Sequence, residues 1–230
     1  WFLSFSKEYL IFSNIPLNSG VGSSASSISS IFQSLICLFG IYVSNGYYFS
    51  FCKKIENFFH GNSSGIDIFC VIFGGNILYN DFIYNKISIL YNNALLIHTG
   101  KPILNTFNCV FFVSIVFIKF NFFVLFLSIS FGIYFSLLNG SCFLLKYYIK
   151  YNLYLLKLLG VVSYKVSCFI NDIENIGGCA KISGSECIFG DNSGFIIVFG
   201  VCFNFLFYYS VYYSYYIYNI KNNIFGVRFV

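Results

Sequence analysis

The segment IPLNSGVGSSASSISS, residues 15–30, joins a predicted strand to a predicted helix. Gly20 and Gly22 stand beside a run of serines, directly after Pro16, in a chain otherwise rich in Phe, Ile, Tyr and Leu. The first N–H groups of a helix have no intrahelical partner and the helix dipole adds positive potential, so such a loop can hold a phosphate group. The alternative is an ordinary serine-capped helix start. No Gly-Lys-Ser/Thr follows, so the loop is not of the Walker A type.

The composition is strongly apolar and weakly charged. Of the 230 residues, 58% are hydrophobic and 9% are charged, against about 25% charged in an average domain. The net charge of +5 comes from scattered lysines, which gives little support to nucleic-acid binding. Nine cysteines without a CxxC pair and only two histidines argue against a disulfide framework and a zinc site. We therefore expect free thiols and a cytoplasmic location.

Two features of the chain raise alternatives. It contains no Met and begins at Trp1 without a signal peptide, so we expect it to lack its natural N-terminus. Residues 109–145 carry one charge, Lys119, and the part from Phe120 to Leu145 is long enough to cross a bilayer. On this reading the chain would be a non-catalytic integral membrane protein.

The hydrophobic pattern predicts a mixture of helices and strands. Apolar residues recur at helical spacing before Gly40, a typical helix stop. Because the strands and helices follow no regular βαβ repeat, we expect the α+β class. The predicted elements are strands at 8–15, 94–99, 194–200 and the C-terminus, helices at 24–39 and 47–59, long helical structure across 103–160, and two strands around a Gly-Gly turn within 69–80.

Two of the eight acidic residues, Glu56 and Asp67, bracket the segment ENFFHGNSSGID at 56–67. One carboxylate could accept a proton from a substrate hydroxyl while the other holds Mg²⁺. The alternative is a solvated helix charge and a turn cap. His60 could bind substrate or simply pack in a turn, and His98 fits a structural role at the end of a strand. Thr99 and Lys101 could approach an anionic substrate or lie at a hairpin edge.

These stretches, in this order, resemble the superfamily of galactokinase, homoserine kinase, mevalonate kinase and phosphomevalonate kinase. IPLNSGVGSSAS is similar to its phosphate loop, Pro-x-x-x-Gly-Leu-Gly-Ser-Ser-Ala. HGNSSGID resembles the mevalonate kinase segment His-Gly-Asn-Pro-Ser-Gly-Val-Asp, followed here too by a Gly-Gly pair. LLIHTGKPILNT resembles the substrate-loop strand, and the region from 158 to 199 resembles the third motif.

The resemblance implies a role for each matching residue. The ATP phosphates would be held by the phosphate loop: Asn18, Ser19, Gly20, Val21, Gly22, Ser23 and Ser24. Ser24 and Glu56 would bind Mg²⁺, and Asp67 would be the catalytic base for the primary hydroxyl of mevalonate. His60, Gly61, Ile66 and Thr99 would shape the substrate pocket. The loop from Lys181 to Gly194 would close the site.

The chain also departs from the family pattern. Asn18 replaces the first glycine of the phosphate loop, and Glu186 and Ile188 interrupt the third motif, where glycines are usual. The family's phosphate-contacting lysine belongs upstream of the loop, on strands that we do not find here. An inactive remnant therefore stays an alternative, as does a phosphomevalonate or homoserine kinase.

The resemblance implies a two-lobed fold. Residues 1–92 would form an incomplete N-terminal nucleotide lobe similar to ribosomal protein S5, and residues 93–230 a ferredoxin-like C-terminal lobe. The expected partner is a small-molecule substrate in isoprenoid biosynthesis, without nucleic acid or membrane, and a homodimer is left open. The motifs on both sides of 109–145 could not share one site across a bilayer, so the resemblance favours helices there over a span.

Overall fold

The computed structural model describes residues 16, 20–61, 63–80, 83–86, 94–103, 113, 122–183 and 190–219. Helices and strands alternate irregularly, which confirms the α+β class. The helices are α1 (Ser23–Phe39), α2 (Asn45–His60), α3 (Ile66–Phe73), α4 (Phe123–Leu138), α5 (Cys142–Leu158), α6 (Tyr164–Asn175) and α7 (Phe203–Tyr213). The strands are β1 (Ile77–Asn80), β2 (Ile83–Lys86), β3 (Ala94–His98), β4 (Cys179–Ser183), β5 (Phe195–Phe199) and β6 (Tyr216–Asn219).

The first three helices pack against one another around a small core. Ala25, Tyr48, Cys52 and Ile68 are buried together. The hydroxyl of Tyr48 donates a hydrogen bond of 2.6 Å to the carbonyl of Ser29, which ties α2 to α1. This bond and the apolar contacts fix the start of α1 relative to α3, where the candidate site lies.

A four-stranded antiparallel sheet, in the order β4-β5-β3-β6, carries the larger core. Ile97 of the central strand β3 pairs with Ile196 of β5 and Ile217 of β6. The buried face of the sheet packs against Phe169 and Ile170 of α6 and Leu206 of α7. The strands predicted at 94–99 and 194–200 are confirmed at 94–98 and 195–199, and the structure shows that they pair with each other.

Helices α4 and α5 form an antiparallel hairpin. Ile133 and Leu137, in the last turns of α4, pack against Leu145 and Ile149 in the first turns of α5. At the other end, Phe126 packs with the buried Leu156 and its neighbours. The helical structure predicted across 103–160 is thus confirmed for 123–158, and residues 104–112 and 114–121 lie outside the described residues.

The helices predicted at 24–39 and 47–59 are confirmed, including the helix stop at Gly40, which has a φ of 60°. One prediction was wrong: residues 69–73 form the end of α3 and not a strand. A short apolar run does not distinguish a helix from a strand, and here packing decides because Ile68 and Phe69 are buried on one helical face. The predicted strands at 8–15 and at the C-terminus lie outside the described residues.

Across the part of the chain that the structure describes, no helix has the length and apolar character needed to cross a bilayer. In the 109–145 region, the structure describes helix α4, which is 16 residues long and contains no charged residue.

Replacing Gly132 with Ala is expected to destabilise the helical hairpin. A Cβ at this position would lie 2.4 Å from the ring of Tyr148, so the ring or the helix must shift. Overpacking of this kind costs about 1–3 kcal/mol, which should lower the midpoint of urea unfolding.

The matched control is Gly46→Ala, in the first turn of α2, where a Cβ would meet nothing within 4 Å. This change is expected to leave the midpoint unchanged or raise it, since Ala is the better helix former. Equal effects of the two substitutions would contradict the packing described for α4 and α5.

Candidate functional site

Helix α1 begins at a glycine in the left-handed conformation. Gly22 has φ 70° and ψ 25°, and its carbonyl accepts the first intrahelical bond, from the N–H of Ser26 at 2.9 Å. No N-cap side chain bonds to this first turn, whereas Ser44, Ser141 and Ser163 cap α2, α5 and α6. The backbone at the start of α1 is thus arranged as in an anion-binding helix terminus.

Asp67 lies next to this helix start. Helix α3 also begins at a left-handed glycine, Gly65 with φ 82°, and Asp67 is in its first turn. A Cβ built on Gly22 would lie 3.7 Å from the Cβ of Asp67. The structure therefore brings together the end of the glycine-serine loop and a carboxylate 45 positions further along the chain.

Glu56 is buried in the same region, with 5% of its surface exposed. The hydroxyl of Ser63 donates a hydrogen bond to Oε2 of Glu56 and accepts one of 3.0 Å from the N–H of Gly65. The N–H of Ser63 donates to Oδ1 of Asn57 at 2.8 Å. These bonds fasten the connection between α2 and α3 to the last turns of α2, so Glu56 and the start of α3 are positioned together.

The interior behind the carboxylates holds weakly acidic groups. Burial raises the pKa of the Cys52 thiol to about 11, and the charge of Glu56 adds to the rise. Burial also raises the pKa of Cys70, and the Asp67 carboxylate adds to the shift. Both thiols therefore stay protonated at neutral pH and act as packing groups.

The other residues predicted for the site belong to two segments, the loop before α1 and the connection between α2 and α3. Val21, Ser23 and Ser24 lie in the loop and first turn of α1, whereas Asn18 and Ser19 lie outside the described residues. His60 is the last residue of α2, Gly61 follows it with a φ of 79°, and Ile66 is the first residue of α3. The roles predicted for all of these residues stay predictions.

Thr99 lies at the end of β3 and is buried, with 4% of its surface exposed. Its hydroxyl donates a 3.0 Å hydrogen bond to the carbonyl of Gly194 and accepts one of 2.9 Å from the N–H of Ser193. The side chain predicted to meet substrate therefore holds the end of the third-motif loop against β3. These two bonds use the hydroxyl proton and one of the two lone pairs of the oxygen, so one lone pair is left to accept a hydrogen bond from a ligand.

The third-motif loop is described at its two ends. Lys181 lies in β4, and its Nζ donates to the carbonyl of Ile182 at 3.1 Å. At the other end, Ser163 donates to the carbonyl of Asp191 at 3.0 Å, which fixes the loop to the start of α6. Residues 184–189 lie outside the described residues, so the predicted closing of the site by this loop stays a prediction.

Sequence reasoning missed the two serines that position the site. Ser63 bonds to Glu56, and Ser163 joins α6 to the loop before β5. Ser63 lies within the HGNSSG segment that was singled out, and a hydroxyl seven residues after a buried Glu could have indicated the bond. No comparable signal marks Ser163, since its partner is a backbone carbonyl.

Known proteins resemble this chain both in the sequence of one domain and in the fold. Residues 4–75 match the family model of the GHMP kinases N terminal domain. The crystal structure of L. major mevalonate kinase in complex with R-mevalonate matches with a TM-score of 0.67 and 20% identity, over 84% of this chain and 61% of that one. The chain has the fold of the GHMP kinases. The superfamily expected from the motifs is thereby supported, and mevalonate kinase in particular stays a prediction.

Two further structures, a second mevalonate kinase and a phosphomevalonate kinase, share this fold. Methanococcus jannaschii mevalonate kinase has a TM-score of 0.69 and 19% identity, over 90% of this chain and 66% of that one. Streptococcus pneumoniae phosphomevalonate kinase, in complex with phosphomevalonate and AMPPNP, has a TM-score of 0.72 and 14% identity, over 88% and 69%. The chain spans less than two thirds of the length of these mevalonate kinases. No curated protein sequence matches the chain.

The half-buried His98 of strand β3 should make the stability of the fold depend on pH. Burial lowers the pKa of His98 from its ordinary 6.5, and its Nε2 has no hydrogen-bond partner among the described residues. A histidine with a lowered folded pKa is protonated first in the unfolded chain, so stability is full above about pH 6.5 and falls as the pH drops below it. We expect the midpoint of urea unfolding to fall between pH 7.5 and 5.5.

A substitution of His60, the only other histidine in the sequence, serves as the control. His98→Phe should flatten the pH dependence of the midpoint, whereas His60→Gln should leave it as it is. A slope that survives His98→Phe would show that a different group titrates.

Proposed function

We propose that this protein is a kinase that transfers the γ-phosphate of ATP to the primary hydroxyl of mevalonate. The observation that carries the proposal is the juxtaposition of the left-handed Gly22, at the start of α1, with Asp67 in the first turn of α3. The start of α1, which would bind the phosphates, thereby lies beside a carboxylate that could serve as the base for in-line phosphoryl transfer. The match of residues 4–75 to a kinase domain supports the same reading.

The residues present fit a bound Mg·ATP. The uncapped first turn of α1 and the glycines at 20 and 22 let backbone N–H groups approach phosphate oxygens. Ser24 and Glu56 would hold Mg²⁺, which keeps several waters and phosphate oxygens among its ligands and needs few from protein. When bound, the metal neutralises phosphate charge during transfer.

The protein's own contribution is positioning and proton transfer. In the proposed mechanism, Asp67 accepts the proton of the acceptor hydroxyl and so increases the nucleophilicity of that oxygen. Asp67 lies close to the phosphate loop, since a Cβ built on Gly22 would be 3.7 Å from the Cβ of Asp67. Ser63 holds Glu56 in place through its hydrogen bond. In this mechanism, catalysis depends on the orientation of the acceptor hydroxyl toward the γ-phosphate and on preorganised charges in the site.

The choice of mevalonate as acceptor rests on the HGNSSGID segment. His60 and Gly61 end α2, Ile66 begins α3, and the segment ends at Asp67 itself, in the first turn of α3. Its similarity to the mevalonate kinase motif favours mevalonate over phosphomevalonate and homoserine. The third-motif loop, fixed at Thr99 and Ser163, would border the same site from the C-terminal sheet.

Activity of the protein expressed from its complete reading frame tests the proposal. We expect ADP release that needs Mg²⁺, ATP and mevalonate together, and a loss of at least ~100-fold in kcat for Asp67→Asn, since general-base catalysis contributes about that much or more. Glu174→Gln is the matched control, because Glu174 of α6 pairs with Lys150 of α5 at 3.3 Å instead of lining the site.

Assays with phosphomevalonate and homoserine as acceptors decide between the related activities. Turnover of either one in preference to mevalonate would keep the kinase but overturn the proposed acceptor. A folded protein that turns over none of the three would overturn the proposed function, and activity unaffected by Asp67→Asn would overturn the role of Asp67 as the base.

A further inference from the structure

Two short backbone segments meet beside Thr99. Residues 99–103 leave strand β3, and residues 190–194 lead into strand β5. We call them the β3 exit segment and the β5 entry segment. The N–H of Thr99 donates to the carbonyl of Gly194 at 2.8 Å, and the N–H of Gly194 donates to the carbonyl of Gly100 at 3.2 Å. The hydroxyl of Thr99 adds two further bonds to the entry segment.

A side chain of the β5 entry segment rests on a glycine of the β3 exit segment. Gly100 has a φ of 111°, and a Cβ built on it would lie 2.6 Å from Nδ2 and 2.8 Å from Cγ of Asn192. Both distances are shorter than a van der Waals contact. The amide of Asn192 therefore occupies the space that a side chain at position 100 would need.

The reverse contact is made at a glycine of the β5 entry segment. Gly190 has a φ of 97°, and a Cβ built on it would lie 2.5 Å from Cδ1 and 3.0 Å from Cγ1 of Ile103. Ile103 is 74% exposed, so its tip lies on this backbone while most of its surface faces outward. Each segment thus carries one glycine and one side chain that covers the glycine of the other segment.

These reciprocal contacts join the two segments. A displacement of one segment alone would break the hydrogen bonds at Thr99 and draw both side chains away from the glycines that they contact. Coupling between parts of a protein is carried by such chains of packed side chains and hydrogen bonds. The entry segment is also fixed to the start of α6, because Ser163 donates to the carbonyl of Asp191. The position of Thr99 should therefore depend on Asn192 and Ile103.

We propose that Asn192 and Ile103 are positioning residues that hold the two segments together as one unit on the acceptor side of the site. Neither side chain is assigned a contact with the acceptor, since both act through the backbone that carries Thr99. The effect on the acceptor rests on the proposed kinase function, whereas the joining of the segments does not. The nucleotide would bind at the start of α1, so its affinity should not depend on these two residues.

Kinetics with mevalonate as the acceptor test the positioning role. We expect Asn192→Ala and Ile103→Ala each to raise KM for mevalonate about tenfold, within the ~100-fold that a misplacement of 1 Å can cost, and to leave KM for ATP unchanged. Asn192→Leu, a neutral side chain branched at the same carbon, should keep KM for mevalonate near its original value. Ile41→Ala is the matched control for Ile103, because Ile41 is 55% exposed and lies between α1 and α2. It should change neither KM.

The steric contact at Gly100 can be separated from the strain of its backbone. Gly100→Ala introduces both the clash with Asn192 and the strain of a positive φ, and adding Asn192→Ala removes the clash alone. The double variant should therefore unfold at a higher urea concentration than Gly100→Ala. Gly177→Ala reports the strain alone, because Gly177 has a φ of 87° and a Cβ there would meet nothing within 4 Å. It should lower the midpoint less than Gly100→Ala does.

Amide hydrogen exchange tests the joining of the segments without any activity. Ile103→Ala should accelerate exchange at Thr99 and Gly194 about tenfold, or ~1.4 kcal/mol of local opening free energy, although the contact described for Ile103 is with Gly190. Ile41→Ala should leave both rates unchanged. Unchanged exchange in Ile103→Ala would overturn the joining of the segments, and faster exchange with an unchanged KM for mevalonate would overturn the positioning role. If the unsubstituted protein turns over no acceptor, the proposed function fails, and the exchange rates still decide whether the segments are joined.

Discussion

The left-handed backbone at two glycines is the constraint on which the candidate site depends. Gly22 and Gly65 both immediately precede helices, with φ values of 70° and 82°, a conformation that strains other residues. At Gly22 a Cβ would only touch Asp67 at 3.7 Å, so the positive φ is the constraint there, whereas at Gly65 a Cβ would also come within 2.9 Å of the Lys53 side chain. Glycine at both positions therefore lets α1 and α3 begin side by side, and their first turns define the site.

The rest of the molecule supports this arrangement from two directions. Within the first 80 residues, the packing of α1, α2 and α3 and the bond from Ser63 to Glu56 hold the carboxylates in position. Beyond them, the four-stranded sheet provides a rigid base for the third-motif loop, which Thr99 fastens at the end of β3. The proposed kinase would thus combine a helical nucleotide-binding part with a sheet that presents a second loop to the substrate.

Much of the fold follows from local sequence. Helix α1 could be predicted because apolar residues recur at helical spacing up to Gly40, and β5 because FIIVF is a short apolar run between glycines. The end of α3 could not, since its five residues 69–73 carry no period that separates helix from strand. The burial of Ile68 and Phe69, with the ring of Phe69 packed edge-on against Phe49 of α2, favours the helix there.

The candidate site was predictable in its residue types but not in its contacts. The spacing of Glu56 and Asp67 around a glycine-serine loop indicated paired carboxylates, whereas the bond from Ser63 and the enclosure of Thr99 depend on tertiary packing. Isothermal titration calorimetry with ADP tests the central claim that the start of α1 and Glu56 form a metal–nucleotide site. The account predicts binding heat that requires Mg²⁺ and is lost in Gly22→Val and Glu56→Gln. Binding that is independent of Mg²⁺, or unchanged in both variants, would contradict it.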